Sequence, residues 1–252
     1  MTMSGHSKWS TIKRKKGKAD AERGRVFTKL IREIAVAARN GGGDADANPR
    51  LRTAVDAARS ANMPTINIDK AIKRGTGELP GVSYEEQTYE GYGPQGIAIL
   101  VETLTDNKNR TTSEIRHILV RNGGHMGEVG CVSWMFHQKG SITVDKGKVQ
   151  EDELMTVALD AGAEDVSDEK EFFEIITAPG DLEKVKKALT QAGVPISVAQ
   201  LARYPQTYVP LDTKSAEQTV RLMDAIEEHD DVQKVYSNFD IPDEIMDKLA
   251  KE

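Results

Sequence analysis

The sequence lacks several features that would assign a protein to a class at once. Its 252 residues contain one cysteine, Cys131, which excludes an internal disulfide and a zinc site built from cysteines. No apolar run approaches the ~20 residues that a membrane-spanning helix needs. Residues 1–8 contain no apolar stretch of the kind that a secretory signal requires. We therefore expect a protein of a reducing compartment, cytoplasmic and without a membrane partner.

The motifs of catalysis and cofactor binding are missing as well. The run Gly91-Tyr92-Gly93-Pro94-Gln95-Gly96 has the spacing G-x-G-x-x-G, but its proline removes an amide and its glycines precede a predicted strand. No two of the five histidines have the i, i+4 spacing of a helical zinc pair. The acidic clusters are typical of solvated loops. We expect no enzyme activity, no catalytic or metal-binding residue, no cofactor and no small-molecule substrate.

Charge is distributed very unevenly along the chain. Residues 1–74 contain 17 Lys and Arg against 7 Asp and Glu, a net charge of +10, whereas residues 75–252 carry a net charge of −16. The overall net charge of −6 hides this asymmetry. A basic module joined to an acidic body is typical of a protein that orients on a polyanion, which favours nucleic acid as the partner.

The cations of the basic module follow a pattern. A segment with five cations in six residues, 13–18, precedes a predicted helix from Asp20 to Asn40. On this helix, cations recur at spacings of four and three beside the apolar stripe. Trp9 either stacks on an exposed base or anchors the basic arm to the helices, and the sequence leaves both roles open. The predicted nucleic-acid-binding residues are Lys8, Trp9, Lys13, Arg14, Lys15, Lys16, Lys18, Arg25, Lys29 and Arg32.

Apolar periodicity and turn signals predict two further helices in the basic module. Asn48 and Pro49 suit the cap and first position of the second helix, and the third covers roughly Ile68 to Arg74. The glycines and proline of residues 75–81 are typical of a linker. We therefore expect a basic arm and helical bundle in residues 1–77.

Beyond the linker, the predicted elements follow the order βαβ, then βαββαβ, then βαβ. Within this order, strands are expected at residues 132–136 and 206–209. The pattern predicts an α+β protein of three domains. The helical bundle is followed by a ferredoxin-like domain split between residues 82–138 and 205–240, and a second ferredoxin-like domain, residues 139–204, is inserted into it. A single continuous α/β sheet is disfavoured by the short elements.

Several motifs resemble those of one family, the YebC/PmpR proteins. The N-terminal run from Gly5 to Trp9 resembles the signature of that family, as do Tyr89 to Pro94, Thr105 to Thr111, Asn122 to Gly124 and Gly127 to Phe136. The similarity spans essentially the whole chain. The sequence departs from the family in having glutamine at position 95, where glycine is usual, and cysteine at position 131, where serine is common.

The resemblance implies three domains and a non-enzymatic role in gene expression. Members of the family are described as transcriptional regulators that bind promoter DNA. Mitochondrial relatives activate translation of a cytochrome oxidase subunit, and bacterial relatives are linked to ribosomes stalled on proline-rich nascent chains. The resemblance therefore implies a DNA-binding transcriptional regulator, with a translation factor associated with the ribosome and its rRNA as the alternative.

A second surface is predicted from the motifs that surround one strand. The glycine-rich segment 89–96 and the turn 106–110 lie at the two ends of the strand between them. Our hypothesis is that either end, or both, contacts RNA or a partner protein. The residues chosen for this role are Tyr92, Asn107, Asn109 and Arg110.

Overall fold

The computed structural model describes residues 19–169, 171–242 and 244–245, with side chains from residue 24 onward. It shows the predicted α+β class, with antiparallel sheets and helices packed on them. Two compact units divide the chain: one is formed by Trp134–Tyr208, and the other contains the described residues through Ser133 and from Val209 onward. None of the described helices is both long enough and apolar enough to cross a membrane.

Three helices form the helical domain: α1 (Ala19–Gly41), α2 (Pro49–Ser60) and α3 (Thr65–Gly75). Their apolar faces meet in one core, to which each contributes residues such as Ile34, Leu51 and Ile68. The start of α2 has the predicted cap, because the Asn48 side chain accepts a hydrogen bond from the Leu51 amide at 3.1 Å. The three predicted helices are present, with α3 beginning one turn earlier than expected.

The next elements, together with a later segment, form a sheet that we call the split domain. They are β1 (Glu85–Tyr92), β2 (Ala98–Thr105), α4 (Lys108–Arg121), β3 (His125–Met126), and, after the second unit, β8 (Val209–Pro210), α7 (Thr213–Glu227), β9 (Val232–Ser237) and β10 (Phe239–Asp240). The strand order is β3-β1-β2-β9, with antiparallel pairing throughout. The helices α4 and α7 contribute to one core with the sheet.

In this sheet a central position is taken by β1, the strand that precedes the βαβ unit formed by β2, α4 and β3. A ferredoxin-like order would place the strand that follows the insertion between β2 and β3. That place is taken by β1, which pairs with β2 from Glu85↔Thr105 to Tyr92↔Ala98. The strand expected at residues 206–209 is reduced to β8, which pairs in parallel with β10 in a separate two-stranded sheet. Pro210 ends β8 and lacks the amide that a longer ladder would need.

The prediction of a strand at residues 132–136 is wrong. Residues Ser133–Met135 form a 3-10 helix, and Phe136 begins a different strand. The reason is the buried Glu90 carboxylate of β1, which accepts hydrogen bonds from the amides of Val132 and Ser133 at 2.7 and 2.8 Å. Amides held by a carboxylate cannot donate to a neighbouring strand.

The second unit, the inserted domain, has β4 (Phe136–Asp145), α5 (Glu151–Asp160), β5 (Ala163–Asp168), β6 (Phe172–Thr177), α6 (Leu182–Gln191) and β7 (Ile196–Pro205). Its strand order is β5-β6-β4-β7, all antiparallel, which is the order of a βαββαβ ferredoxin-like sheet. Its core lies between the sheet and both helices, with Ile142, Leu154 and Val185 fully buried. The predicted stretch 139–204 lies inside this unit.

Candidate nucleic-acid interface

Three cations of α1 do not face solvent freely, because the end of α7 and the segment after it bind them. Arg25 forms an ion pair with Glu228 at 3.3 Å. One turn further along α1, the Lys29 Nζ donates to the backbone carbonyl of Glu227 at 2.8 Å. The C-terminus of a helix carries partial negative charge on its free carbonyls, so it is a favourable place for a cation. Both side chains therefore contribute to docking the helical domain on the split domain.

Asp231 is the centre of this contact. Its carboxylate, which is 2% exposed, accepts hydrogen bonds from Arg32 of α1 at 2.5 Å and from Arg110 of α4 at 2.8 Å. The Thr111 hydroxyl donates to the same carboxylate at 2.5 Å. The guanidinium of Arg32 also lies over the Tyr84 ring, 5.2 Å from its centroid. One buried carboxylate thus connects the helical domain with both α4 and the segment that leads into β9.

The environment of Asp231 keeps its carboxylate ionised. Burial by itself would raise the pKa of Asp231, but the hydrogen bonds from Thr111, Arg110 and Arg32 outweigh burial and hold that pKa well below its usual range. The same interactions hold the pKa of Arg110 above its usual range, chiefly through its hydrogen bond to Asp231 and next through its hydrogen bond to Asp106. The cluster is therefore a stable set of charges at neutral pH.

This placement changes the interpretation of the predicted footprint. Arg32 was predicted to bind phosphate, but its side chain is only 13% exposed and is occupied by Asp231, so the structure assigns it to domain docking. Arg25 and Lys29 are bound by the same end of α7, although Arg25 remains one-third exposed. The predicted residues of the basic arm, Lys8, Trp9, Lys13, Arg14, Lys15, Lys16 and Lys18, lie outside the described residues.

The third helix of the domain presents a different set of cations. Lys70, Lys73 and Arg74 follow one another at i, i+3 and i+4 on α3, so they share one face. All three are exposed, and none forms an ion pair or a side-chain hydrogen bond with another described residue. Ile66, one turn before Lys70, is 61% exposed on the same face. We call these four residues the α3 stripe.

The α3 stripe was missed in the sequence interpretation, although its signal was present. Its cations have the helical spacing that was used to select Arg25, Lys29 and Arg32 on α1. The predicted third helix was treated only as part of the bundle. The acids nearest to it in sequence are Asp69 and Glu78, and Glu78 is hydrogen-bonded to the Thr76 hydroxyl at 2.9 Å.

The four residues chosen as partner contacts lie at opposite ends of β2. Tyr92 pairs with Ala98 at one end, whereas Asn107, Asn109 and Arg110 begin α4 beyond the other end. An eight-residue strand is about 25 Å long, so these residues do not form one site.

Three of those four residues have structural partners. The Tyr92 hydroxyl donates to the Cys131 carbonyl at 3.2 Å, and its ring lies 5.4 Å from that of His125. The Asn107 side chain caps α4 by accepting from the Arg110 amide at 3.1 Å. The Asn109 side chain is exposed and has no described side-chain partner. Asn109 is therefore the member of the set that is most available to a partner.

The loop within the Gly127 to Phe136 motif is held in place by one buried carboxylate, that of Glu90. Glu90, 6% exposed, accepts from the amides of Gly130, Val132 and Ser133 at 2.7 to 2.8 Å. Burial alone would raise the pKa of Glu90, but these amide hydrogen bonds hold it below its usual value. The loop is thereby fixed with Val129 93% exposed at its tip. Close approach is needed at Gly91, where a Cβ atom would lie 2.5 Å from the His125 carbonyl oxygen.

An open cleft of about 670 Å³ lies between α1, α4 and the segment before β9. Its lining includes side chains of both charges: Arg32, Arg110, Glu114, His117, Asp230 and Asp231. Most of these side chains are occupied by one another. Among the described residues, no three His, Cys, Asp or Glu side chains are grouped as metal ligands would be.

Comparison with known proteins gives consistent results over nearly the whole chain. Residues 7–78 match a family model described as the TACO1/YebC N-terminal domain, and residues 84–239 match one described as the TACO1/YebC second and third domain. A crystal structure of a conserved hypothetical protein from Aquifex aeolicus is similar, with a TM-score of 0.84 and 50% identity over 89% of this chain and 93% of that one.

Similar proteins from several bacteria share one name. A protein from Syntrophobacter fumaroxidans is 61% identical over 98% of this chain and its own full length, and it is named a probable transcriptional regulatory protein. A protein from Desulforapulum autotrophicum, named in the same way, is also 61% identical over 98% of this chain. A protein of Geobacter sulfurreducens with that description is 58% identical over the same share.

Proposed function

Because the chain belongs to the TACO1/YebC family, we propose that it is a non-enzymatic regulator of gene expression that binds nucleic acid through its helical domain. The naming of its relatives supports a transcriptional regulator. The observation that carries the proposal is the α3 stripe, in which three cations on one helical face have no described partner. A cytoplasmic location is part of the same proposal.

Phosphate binding is the role that best fits unpaired cations on one face of a helix. Arg25, Lys29 and Arg32 of α1 are bound by the end of α7 and the acidic segment that follows it, so their charge is largely used within the molecule. The cations of the α3 stripe are solvated, and each can displace one counterion from a nucleic acid. Ile66, exposed beside them, adds an apolar group that can lie against a sugar or a base. This combination suits contact with a nucleic-acid backbone without strict sequence reading.

The basic arm is a second contributor to this proposal. Its cations at residues 13–16 supply charge that the sequence places directly before α1. We expect the arm to add phosphate contacts to those of the α3 stripe. Replacing Lys13, Arg14, Lys15 and Lys16 by alanine should weaken binding to all nucleic acids and reduce the dependence of affinity on salt.

The test is the affinity of the full chain for duplex nucleic acid over a series of salt concentrations. In the triple variant Lys70→Ala, Lys73→Ala, Arg74→Ala, three phosphate contacts are lost. The slope of log affinity against log salt should therefore become shallower by roughly 2.7, and affinity near ~0.1 M salt should fall by on the order of 100-fold or more.

A matched control removes the same charge from the inserted domain. The variant Lys184→Ala, Lys186→Ala, Lys187→Ala loses three cations from α6, where we propose no contact. It should retain the affinity and salt slope of the unaltered chain. If the α3 and α6 variants lose affinity equally, nonspecific attraction by net charge explains the binding, and the α3 stripe is not an interface. If both keep the affinity of the unaltered chain, the α3 stripe is not an interface either.

A further inference from the structure

The helical domain and the split domain meet through polar contacts, and their apolar cores are separate. The two cores share no residue. Arg25, Lys29 and Arg32 of α1 connect the domains by binding to residues 227–231, the acidic segment that ends α7 and leads into β9. We call these contacts the latch. Domains with separate cores move relative to each other unless their interface is large and apolar, so the latch is a contact that can open.

The polar contacts of α1 form two groups along the helix. The latch lies toward its start. Toward its end, Arg39 donates to the Ser83 hydroxyl and to the Tyr84 carbonyl, both at 2.6 Å. At the rise of an α-helix, Arg25 and Arg39 are roughly 20 Å apart along the axis. Ser83 and Tyr84 belong to the connection between α3 and β1, so this second group can act as a hinge while the latch opens.

The acceptors in the latch are groups that phosphate can replace. Arg25 and Arg32 bind carboxylates, at 3.3 Å to Glu228 and 2.5 Å to Asp231. Four of the five residues in the segment 227–231 are acidic. Arginine binds carboxylate and phosphate with the same fork of N–H groups, so the segment and a polyanion compete for the same side chains. A closed latch therefore withholds three cations from nucleic acid.

We propose that the latch is autoinhibitory. While it is closed, the helical domain binds nucleic acid without the three cations of α1, and when it opens these cations add three phosphate contacts. Opening is favoured as salt falls, because each phosphate contact strengthens, whereas the pair between Arg32 and the buried Asp231 is screened little by salt. At ~0.1 M salt the latch of the unaltered chain is closed. The inference rests on the proposed function and adds a means of regulation to it.

The first test removes the carboxylate at the centre of the latch. In Asp231→Asn, the affinity of the full chain for a DNA hairpin at ~0.1 M salt should rise about ten-fold or more. Three new phosphate contacts should outweigh the remaining contacts of the latch, which are partly solvated. The slope of log affinity against log salt should become steeper by roughly 2.7. If the variant is folded by far-UV circular dichroism and its affinity is unchanged or lower, the latch is not autoinhibitory.

A matched control removes the same charge one position earlier in the chain. The Asp230 side chain is exposed and forms no ion pair or side-chain hydrogen bond with another residue that the structure describes. Asp230→Asn should change the affinity by less than about three-fold, because the repulsion from one exposed charge is screened by salt. If it raises the affinity as much as Asp231→Asn does, loss of negative charge explains the gain and the proposal fails.

Arg25 reports whether α1 reaches the nucleic acid. At ~0.1 M salt, Arg25→Ala should change the affinity of the unaltered chain by no more than about two-fold, since the latch is closed. In the Asp231→Asn background it should lower the affinity about ten-fold, the value of one phosphate contact. Loss of stability alone would not make the effect of Arg25 depend on Asp231 in this way. Equal effects in the two backgrounds contradict the latch.

A second measurement does not depend on the stability of Asp231→Asn. Fluorescent labels are attached at Ala57→Cys on α2 and Gln218→Cys on α7, both exposed positions, in a chain that also carries Cys131→Ser. Adding the DNA hairpin at ~0.02 M salt should lower the energy transfer between the labels, whereas at ~0.15 M salt the transfer should stay constant. Constant transfer at low salt, in a chain that binds the hairpin, overturns the latch and leaves the proposed function standing. A chain that does not bind the hairpin at low salt overturns both proposals.

Discussion

Two helices of the same small domain carry cations at similar helical spacing and use them differently. On α1, Arg25, Lys29 and Arg32 are all bound by the segment that ends α7 and leads into β9. On α3, the three cations of the α3 stripe face solvent without a described partner. The sequence spacing does not distinguish the two sets.

The difference shows that a cluster of positive charge has two possible uses. The first 74 residues carry a net charge of +10, but part of this charge is used within the molecule. An acidic segment of the split domain binds some of the cations. The helical domain docks on the split domain through these ion pairs and hydrogen bonds. Only the cations that remain after docking are available to a polyanion.

The largest effect that tests this comparison is on stability. Asp231→Asn removes the charge that holds Arg32 and Arg110, and it leaves a mostly buried arginine without its counter-ion. We expect the free energy of unfolding, measured by urea denaturation, to fall by about 3 kcal/mol. The double variant Asp231→Asn, Arg32→Ala should cost less than the sum of the single variants, since those two residues are in direct contact. Additive costs would mean that Arg32 is not docked through Asp231.

A smaller effect is expected from acidification of the same contact. The pKa of Asp231 is lower in the folded chain than in the unfolded one, so the unfolded state binds the proton first as pH falls. The contribution of Asp231 is complete above about pH 5 and decreases below it, so the stability gap between the unaltered chain and Asp231→Asn should narrow by about 1 kcal/mol between ~pH 5 and ~pH 3. A gap that stays constant over this range would contradict the depressed pKa.

The smallest effect should come from Arg25, the most exposed member of the α1 set. Its ion pair with Glu228 is partly solvated, so Arg25→Ala should change the free energy of unfolding by less than about 0.5 kcal/mol. Its affinity for nucleic acid should change by no more than about two-fold, in contrast to the roughly ten-fold expected at ~0.1 M salt for any one cation of the α3 stripe. A loss at Arg25 as large as at Lys70 would erase the distinction between the two helices.

Local sequence rules predicted the elements that depend on local contacts. The cap and first position of α2, at Asn48 and Pro49, follow from side-chain and ring geometry within one turn. The βαββαβ order of the inserted domain followed from the alternation of strand and helix patterns. The family was identified from short motifs, and the match of both family models confirms it.

Predictions failed where a distant residue intervened. The pattern at residues 132–136 is compatible with a strand, but Glu90, about forty residues earlier, takes up the amides that such a strand would need. The strand expected at 206–209 is reduced to β8, and β1 occupies the place beside β2 that this strand would have taken. In both cases the local preference was overridden by a contact that spacing along the chain does not reveal.

The sequence by itself determined where most of the helices and strands form, that the protein is α+β, and that positive charge is gathered at its front. Only the tertiary structure decided which of those charges are free. Arg32 and Asp231 are 199 positions apart in the chain, yet their side chains are in contact. Helix periodicity is set by bonds between near neighbours, whereas an ion pair depends on distance in space, and that distance is fixed only when the domains pack.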